Sequence, residues 1–375
     1  MTLGEAFAGS YLRRLITGRS GSVPSVLPPP SPEAQLLFLT KLQRLFAEGD
    51  FTATYKFALL ITLADLSVEL GADDGSELVL TNRQIGEHFI GLYWQHCLPY
   101  SSGHATSAPG VLVQNNGAQA AVVSAVSTFR ANTAVASPQA AARLPGFREL
   151  VSAVTNTVSA QPLNYLQNFG GGTDEFLYER TGAGKIRLKP SVAYCLRRFY
   201  PLVQQLARSH WIDHIKQNSR NLNILGATDD LEDFLFSSSR QSLQVMAAGL
   251  RKLDEARCFY CGNMVTTADV DHYIPFSLYP RDLAHNFVLA HPSCNRSKSD
   301  TLAALPHLER WLARLHDKAD ALAEIGSAAG FQTDTLVTRQ VGAWAYTSAL
   351  SGGGKAWVTT NAYTPIDDTY TTCFA

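Results

Sequence analysis

Apolar residues recur at helical spacing through most of the chain and alternate in only a few short stretches. Leu36, Leu37, Leu39, Leu42, Leu45 and Phe46 mark a first amphipathic helix, opened by Pro32 and closed by Gly49-Asp50. A second run from about Thr54 to Leu70 carries Tyr55, Phe57, Leu59, Leu60, Leu63, Ala64 and Leu66 and stops at Gly71. Lys56, Asp65 and Glu69 interrupt it and are assigned to a solvated edge. Leu78 to Leu80 reads as a short strand. Thr81 and Gln84 form a capping box for a core helix from Asn82 to about His96, whose apolar face is Ile85, Phe89, Ile90, Tyr93 and Trp94. Residues 101–160 are poor in charge. Only Gln119 to Phe129 reads there as helix, with Pro138 and Pro145 punctuating the flanking loops. Phe176 to Tyr178 and Ile186 to Leu188 flank T-G-A-G at 181–184, a hairpin signal. Pro190 opens a helix through about Gln217, and Asp229 to Leu253 forms another. Pro306 to Ile325 reads as one amphipathic helix with Leu308, Trp311, Leu312, Leu315 and Leu322 on one side. Val341 to Leu350 is a last short element.

Composition narrows the class. The chain has 375 residues, 46% of them hydrophobic, and a net charge of −1. Such a balance excludes a uniformly basic nucleic-acid binder, so any contact with phosphates needs a local patch. The most basic segment outside the stretch discussed next is Lys185, Arg187, Lys189, Arg197, Arg198, Arg208 and Lys216. It is assigned to a solvated face, with a phosphate-tracking surface as the alternative. No apolar run approaches membrane-spanning length, and the N-terminus lacks the apolar core of a signal peptide. Of six cysteines, Cys97, Cys195 and Cys373 are scattered. That is no disulfide framework, and a cytoplasmic location is expected. The Pro/Ser/Gly-rich residues up to 32 read as a flexible arm, preceded by a short helix at Phe7–Ile16.

The chemistry concentrates between Cys258 and Lys298. C-F-Y-C at 258–261 and H-P-S-C at 291–294 are two short-spaced ligand pairs, Cys258 with Cys261 and His291 with Cys294, the set a tetrahedral structural Zn²⁺ requires. Inside this frame lie Asp271, His272 and Asn286, and Asn295 follows it directly. A zinc knuckle needs none of the four. Histidine as a residue type exchanges its proton near neutral pH, so His272 is suited to take a proton from water.

C-x-x-C, D-H-x-x-P, N-F-V-L and a ligand pair followed by Asn resemble the HNH endonuclease family over about forty residues. His291 stands where many zinc-bearing members have Cys, and Asn295 where the family name expects His. The resemblance implies a small zinc-bearing ββα-metal (HNH) domain; with the helical periodicity before it, the expected fold is α+β, a mainly helical N-terminal region followed by that domain. The expected divisions are 1–32 arm, 33–250 helical specificity or regulatory region, 251–326 HNH domain with its following helix, and 327–375 C-terminal tail. It also implies roles: His272 as general base, Asn286 fixing its imidazole through a backbone hydrogen bond, and Asp271 with Asn295 holding Mg²⁺ or another divalent cation. Arg296 and Lys298 would meet phosphate at the start of the last helix. The implied activity is metal-dependent hydrolysis of DNA phosphodiester bonds, RNA not excluded, in bacterial restriction or anti-phage defence. The alternatives are a non-catalytic zinc-containing nucleic-acid-binding module and an effector gated by a protein partner on the N-terminal helices, with no membrane association in either.

Overall fold

The computed structural model describes residues 27–101, 109–225, 231–237 and 239–375. The expected Phe7–Ile16 helix and most of the arm lie outside them. Helix α1, Pro32–Glu48, starts where the Ser31 hydroxyl accepts from the Ala34 N–H at 3.3 Å, with Pro32 at its first position. Helix α2, Tyr55–Leu70, is buried at every residue from Tyr55 to Glu69. A helix that is apolar all round belongs in the middle of a bundle. Lys56, Asp65 and Glu69 therefore do not form a solvated edge: they are 8%, 0% and 7% exposed.

The two acids meet partners across the core. Asp65 Oδ1 accepts from Tyr200 Oη at 2.6 Å and Gln204 Nε2 at 2.7 Å. Glu69 Oε1 accepts from Tyr279 Oη and Arg281 Nη1, both at 2.7 Å, and the His88 ring lies against both acids. Burial alone would push the Glu69 carboxyl up. Arg281, with His88 and Tyr279 behind it, more than offsets this and holds it at about 2. Burial raises the Asp65 carboxyl, against the opposing pull of Arg281 and His88. Arg281 and Tyr279 belong to the Cys258–Lys298 stretch, so this cluster joins it to the helical core. Glu69→Gln leaves the Arg281 cation short of its nearest counter-charge and should cost about 3–5 kcal/mol in denaturant unfolding. An unchanged midpoint would remove the cluster from the account of stability.

Strand β1, Leu78–Thr81, leads into α3, Asn82–Trp94, through the predicted capping box: Thr81 Oγ1 accepts from Gln84 N, and Gln84 Oε1 from Thr81 N. Helix α4 is Ala121–Thr133 and α5 is Phe147–Ala160. Helix α5 falls where the small and β-branched residues predict a loop. Its signal was Leu150, Val151, Val154 and Val158, all buried at helical spacing. It packs closely on α3, where a Cβ at Gly86 would fall 2.4 Å from Thr155 Oγ1.

The expected hairpin is β2, Tyr178–Gly182, with β3, Lys185–Leu188; β3 also pairs with β1, giving an antiparallel sheet in the order β1-β3-β2. The helix expected from Pro190 to Gln217 is two, α6 Val192–Arg198 and α7 Tyr200–Gln217, broken at Phe199 just before Pro201. Proline lacks the N–H that a continuous helix would need. Arg197 is neither solvated nor available to phosphate: it is 4% exposed and bonds Asp73 and the Ser67 and Val68 carbonyls. After Leu231–Phe236, α8 runs over Arg240–Leu253.

The remaining elements build the motif. Strand β4, Asp269–His272, pairs antiparallel with β5, Phe287–Ala290, placing Asp271 opposite Val288 and His272 opposite Phe287. Helix α9, Pro292–Lys298, follows at once and completes a strand-strand-helix unit. The chain is thus α+β, with a mainly helical N-terminal region before this unit. The single helix expected at Pro306–Ile325 is α10, Leu305–Asp317, and α11, Ala319–Ala329. They break at Lys318, whose ammonium is held by Asp254 Oδ1 and the Leu253 carbonyl.

Residues 327–375 are not a tail. They form α12, Thr335–Ser351, and the hairpin β6, Lys355–Thr359, with β7, Ala362–Pro365. Trp357 donates to Ser297 Oγ at 3.0 Å, and Tyr346 donates to the Ala303 carbonyl at 2.7 Å, so this segment packs directly on the motif. Among the described residues no helix is long and apolar enough to cross a membrane.

Candidate active site and metal centre

The first ligand pair sits on a tight turn. Cys258 N donates to the Asn263 carbonyl, Gly262 N to the Cys258 carbonyl, and Gly262 adopts φ +74°, a region glycine enters without strain. The second pair is brought by the end of β5 and the start of α9. The ligand atoms of Cys258, Cys261, His291 and Cys294 lie within 4.8 Å of one another. His291 Nε2 is 3.1 Å from the Met264 carbonyl, which fixes the proton on Nε2 and leaves the Nδ1 lone pair 3.3 Å from Cys261 Sγ.

The thiols respond to this crowding. Burial opposes ionisation of Cys258, but N–H groups of Cys261, His291 and Tyr260 outweigh it and lower its pKa. Cys294 is pushed up to about 12, by burial first and then by the charges of Cys258 and Cys261. Three thiolates at this distance repel one another, and a central divalent cation removes the repulsion. Three sulfurs and one imidazole nitrogen are compatible with zinc.

The residues between the pairs divide over the two faces of β4, as alternation requires. Asp269 and Asp271 share one face. Asp271 is 8% exposed; its Oδ2 accepts from Tyr260 Oη at 2.5 Å and lies 3.2 Å from Lys298 Nζ. Asn295 Nδ2 donates to Asp269 Oδ2 at 3.0 Å, which leaves Asn295 Oδ1 as a free acceptor. His272 ends the strand on the other side, its ring 4.6 Å from that of Phe287 and 5.1 Å from that of Phe276. His272 Nε2 is 2.5 Å from Asp282 Oδ1.

Asn286 holds the turn beyond His272: its Oδ1 accepts from Ile274 N at 2.8 Å and its Nδ2 donates to the Ile274 carbonyl at 2.9 Å. Its own carbonyl accepts from Tyr273 N. Its bonds therefore go to the backbone next to His272, and the imidazole itself is met by Asp282.

Two of the expected roles meet this geometry differently. The Arg296 side chain is exposed and has no hydrogen-bond or ion-pair partner among the described residues. Lys298 is 0% exposed and cannot reach a phosphate. Its Nζ is directed inward to Asp271 and to the His272 carbonyl at 3.0 Å, beneath the Tyr260 ring. Burial pulls the Lys298 pKa down, and Asp271 opposes that pull. Helix α9 is two turns long and packs on β4 and β6, so the side chain at its last position enters the core. Lys298→Ala leaves the Asp271 carboxylate buried without its cation and should destabilise the protein by about 3–5 kcal/mol. Guanidinium unfolding checks this, and a surface lysine would give no change.

Sequence reading missed Asp269, Asp282 and Tyr260. Tyr260 lies inside the C-x-x-C pair and Asp269 two residues before Asp271, where strand alternation could have paired the two acids. Asp282 carried no local signal, since ten residues separate it from His272. Asp282 and Phe276 also line a cavity of about 240 Å³ whose other wall includes Trp94 and Phe236. The helical region thus borders the His272 side of the motif.

A strand-strand-helix unit closed by a Cys₃His cluster, with histidine, carboxylates and asparagine between the ligands, defines the class of this segment. Residues 258–301 match the sequence model of the HNH endonuclease family. No curated protein matches the chain, and no solved structure does.

Proposed function

We propose that the chain is an HNH-type endonuclease that hydrolyses DNA phosphodiester bonds with a divalent cation, the helical region selecting or gating the substrate. The observation that carries this reading is the His272–Asp282 pair, set on the same small unit as Asp271 and the free Oδ1 of Asn295. An ionised carboxylate only accepts hydrogen bonds, so Asp282 keeps the proton on His272 Nε2 and leaves Nδ1 as the base. Nδ1 takes the proton of a water as its oxygen attacks phosphorus, and the bond from phosphorus to the 3′ oxygen breaks. Asn286 keeps the following turn, and hence the ring, in place. Arg296, exposed on α9, would receive a phosphate of the strand. Asp271 Oδ1 and Asn295 Oδ1 are hard oxygen donors that fit Mg²⁺ or a similar cation, completed by water and substrate. Such a cation supplies Lewis-acid neutralisation of charge on the phosphate.

Incubation of supercoiled plasmid with the protein under Mg²⁺, Mn²⁺ or Ni²⁺ tests the reading; nicked or linear product is expected with at least one ion. Single-stranded and duplex RNA in parallel decide the polynucleotide. A second reading, an effector switched on by a partner, is favoured by one observation: Lys298 and Tyr260 already occupy Asp271. It predicts that the isolated chain is inert with every ion and cleaves when lysate of its host under phage challenge is added. A role in restriction or anti-phage defence is the setting in which such gating would matter.

A further inference from the structure

We propose a second site, apart from the nuclease motif, that binds a nucleoside phosphate in a cleft between the N-terminal ends of α2 and α4. The cleft has a volume of about 850 Å³, and its walls include Asp50, Tyr55, Lys56, Ala121, Asn156 and Gln161. All its lining residues fall between 50 and 168, so it shares none with residues 258–301.

Lys56 carries the argument. It is 8% exposed, lines the cleft, and has no hydrogen bond or ion pair among the described residues; its ammonium lies 5.3 Å from the centre of the Phe51 ring. Burial lowers its pKa, and Asp50 opposes this from beyond ion-pair distance. A buried cation without an ion-pair partner costs stability, and the Phe51 ring and the more distant Asp50 offset only part of that cost. An anion in the cleft would offset the rest.

The helix ends point to the same charge. Helix α2 begins at Thr54 with no side-chain cap, because the Thr54 hydroxyl is committed to Tyr93 Oη at 2.7 Å and Gln114 Oε1 at 3.0 Å. Helix α4 begins at Ala120, which has no side chain to cap with; Tyr55 Oη accepts from Val122 N at 3.2 Å and so caps this end only in part, from the wall of the cleft. Their first residues, Tyr55, Lys56 and Ala121, lie on the cleft, where the positive ends of both helix dipoles favour an anion.

Size and wall chemistry give the rest of the ligand. The volume far exceeds that of inorganic phosphate and suits a ring-bearing molecule. Asn156 and Gln161 offer side-chain amides with no partner among the described residues, each a donor and acceptor pair for the edge of a base. Tyr165, 50% exposed, offers a ring face for stacking. A free nucleotide and the phosphorylated end of a strand share this chemistry.

Calorimetric titration of the full chain without added divalent cation, using the four nucleoside 5′-monophosphates, inorganic phosphate, and tetrathymidylate with and without a 5′-phosphate, tests the proposal. Binding of a monophosphate assigns the free nucleotide; binding of the phosphorylated oligonucleotide alone assigns a strand end. Lys56→Met should weaken either by about tenfold or more, with an unfolding midpoint equal to or above that of the parent. Exposed Gln161→Ala, which does not threaten folding, should weaken the nucleoside-bearing ligand. The proposal falls if none of the ligands binds, if inorganic phosphate binds as tightly as the nucleotides, or if Gln161→Ala and Lys56→Met bind like the parent. The readout is binding, so its failure leaves the cleavage assay untouched, and failure of cleavage leaves it untouched in turn.

Discussion

His272→Ala is expected to keep its zinc and its unfolding midpoint within a small packing loss, and to cleave plasmid about 10²–10⁴-fold more slowly, the usual cost of removing a general base. The imidazole contacts the Phe276 and Phe287 rings and Asp282, none of which depends on it for a hydrogen bond that the core requires. Cys258, Cys261, His291 and Cys294 lie on other segments, so metal content should stay at the parent value. Asp282→Asn separates position from proton transfer. An amide can turn either its N–H or its carbonyl to Nε2, so the tautomer is no longer enforced. The ¹⁵N resonances of His272 should then report a mixture of tautomers, with an intermediate fall in rate. A merely structural Asp282 would leave those resonances unchanged. Cleavage by His272→Ala at the parent rate, with contaminating nuclease excluded by an inactive Asn295→Ala preparation, would remove His272 from the base role.

Loss of the zinc centre should have the largest effect on stability. Natively purified protein is expected to hold about one zinc per chain, since four ligands close one tetrahedral site. Cys294→Ser, or a strong chelator, should release it and unfold the motif. Structural zinc contributes about 10–16 kcal/mol in zinc-finger peptides near neutral pH, far more than the small β4-β5 pair can supply by burial. The damage should spread. Tyr260, inside the first ligand pair, bonds Asp271 and packs on Trp357, and Phe259 N bonds the Leu289 carbonyl of β5. Near-ultraviolet circular dichroism of the Trp357 environment and metal analysis follow the two events together. Zinc-free protein with the native spectrum would show that the four ligands form no metal site.

Much of this molecule was legible before its fold. The capping box at Thr81 and Gln84, the hairpin at 181–184 and the four converging metal ligands all rest on short-range spacing, which sequence displays directly. Breaks were less legible. Hydrophobic periodicity runs through Phe199 and Lys318 without interruption, while the missing N–H of Pro201 breaks the first helix and the non-helical backbone of Lys318, φ −118° and ψ 17°, breaks the second.

What the sequence determined by itself is therefore local: an α+β chain, a ligand frame from Cys258 to Cys294, and a histidine, carboxylate and asparagine set enclosed by it. Tertiary structure alone decided which charges are buried and what they meet. Lys56, Asp65, Glu69, Arg197 and Lys298 all resemble solvated positions on their own helices. They are enclosed because α2 is surrounded by α3, α6, α7 and α12, and because the C-terminal hairpin closes over α9. The same holds for Asp282, which reaches His272 only when the loop carrying it is anchored through Arg281 to Glu69. A helix's periodicity reports the face it would bury against one neighbour. It carries no information on how many neighbours arrive, and that number sets the burial of every charge here.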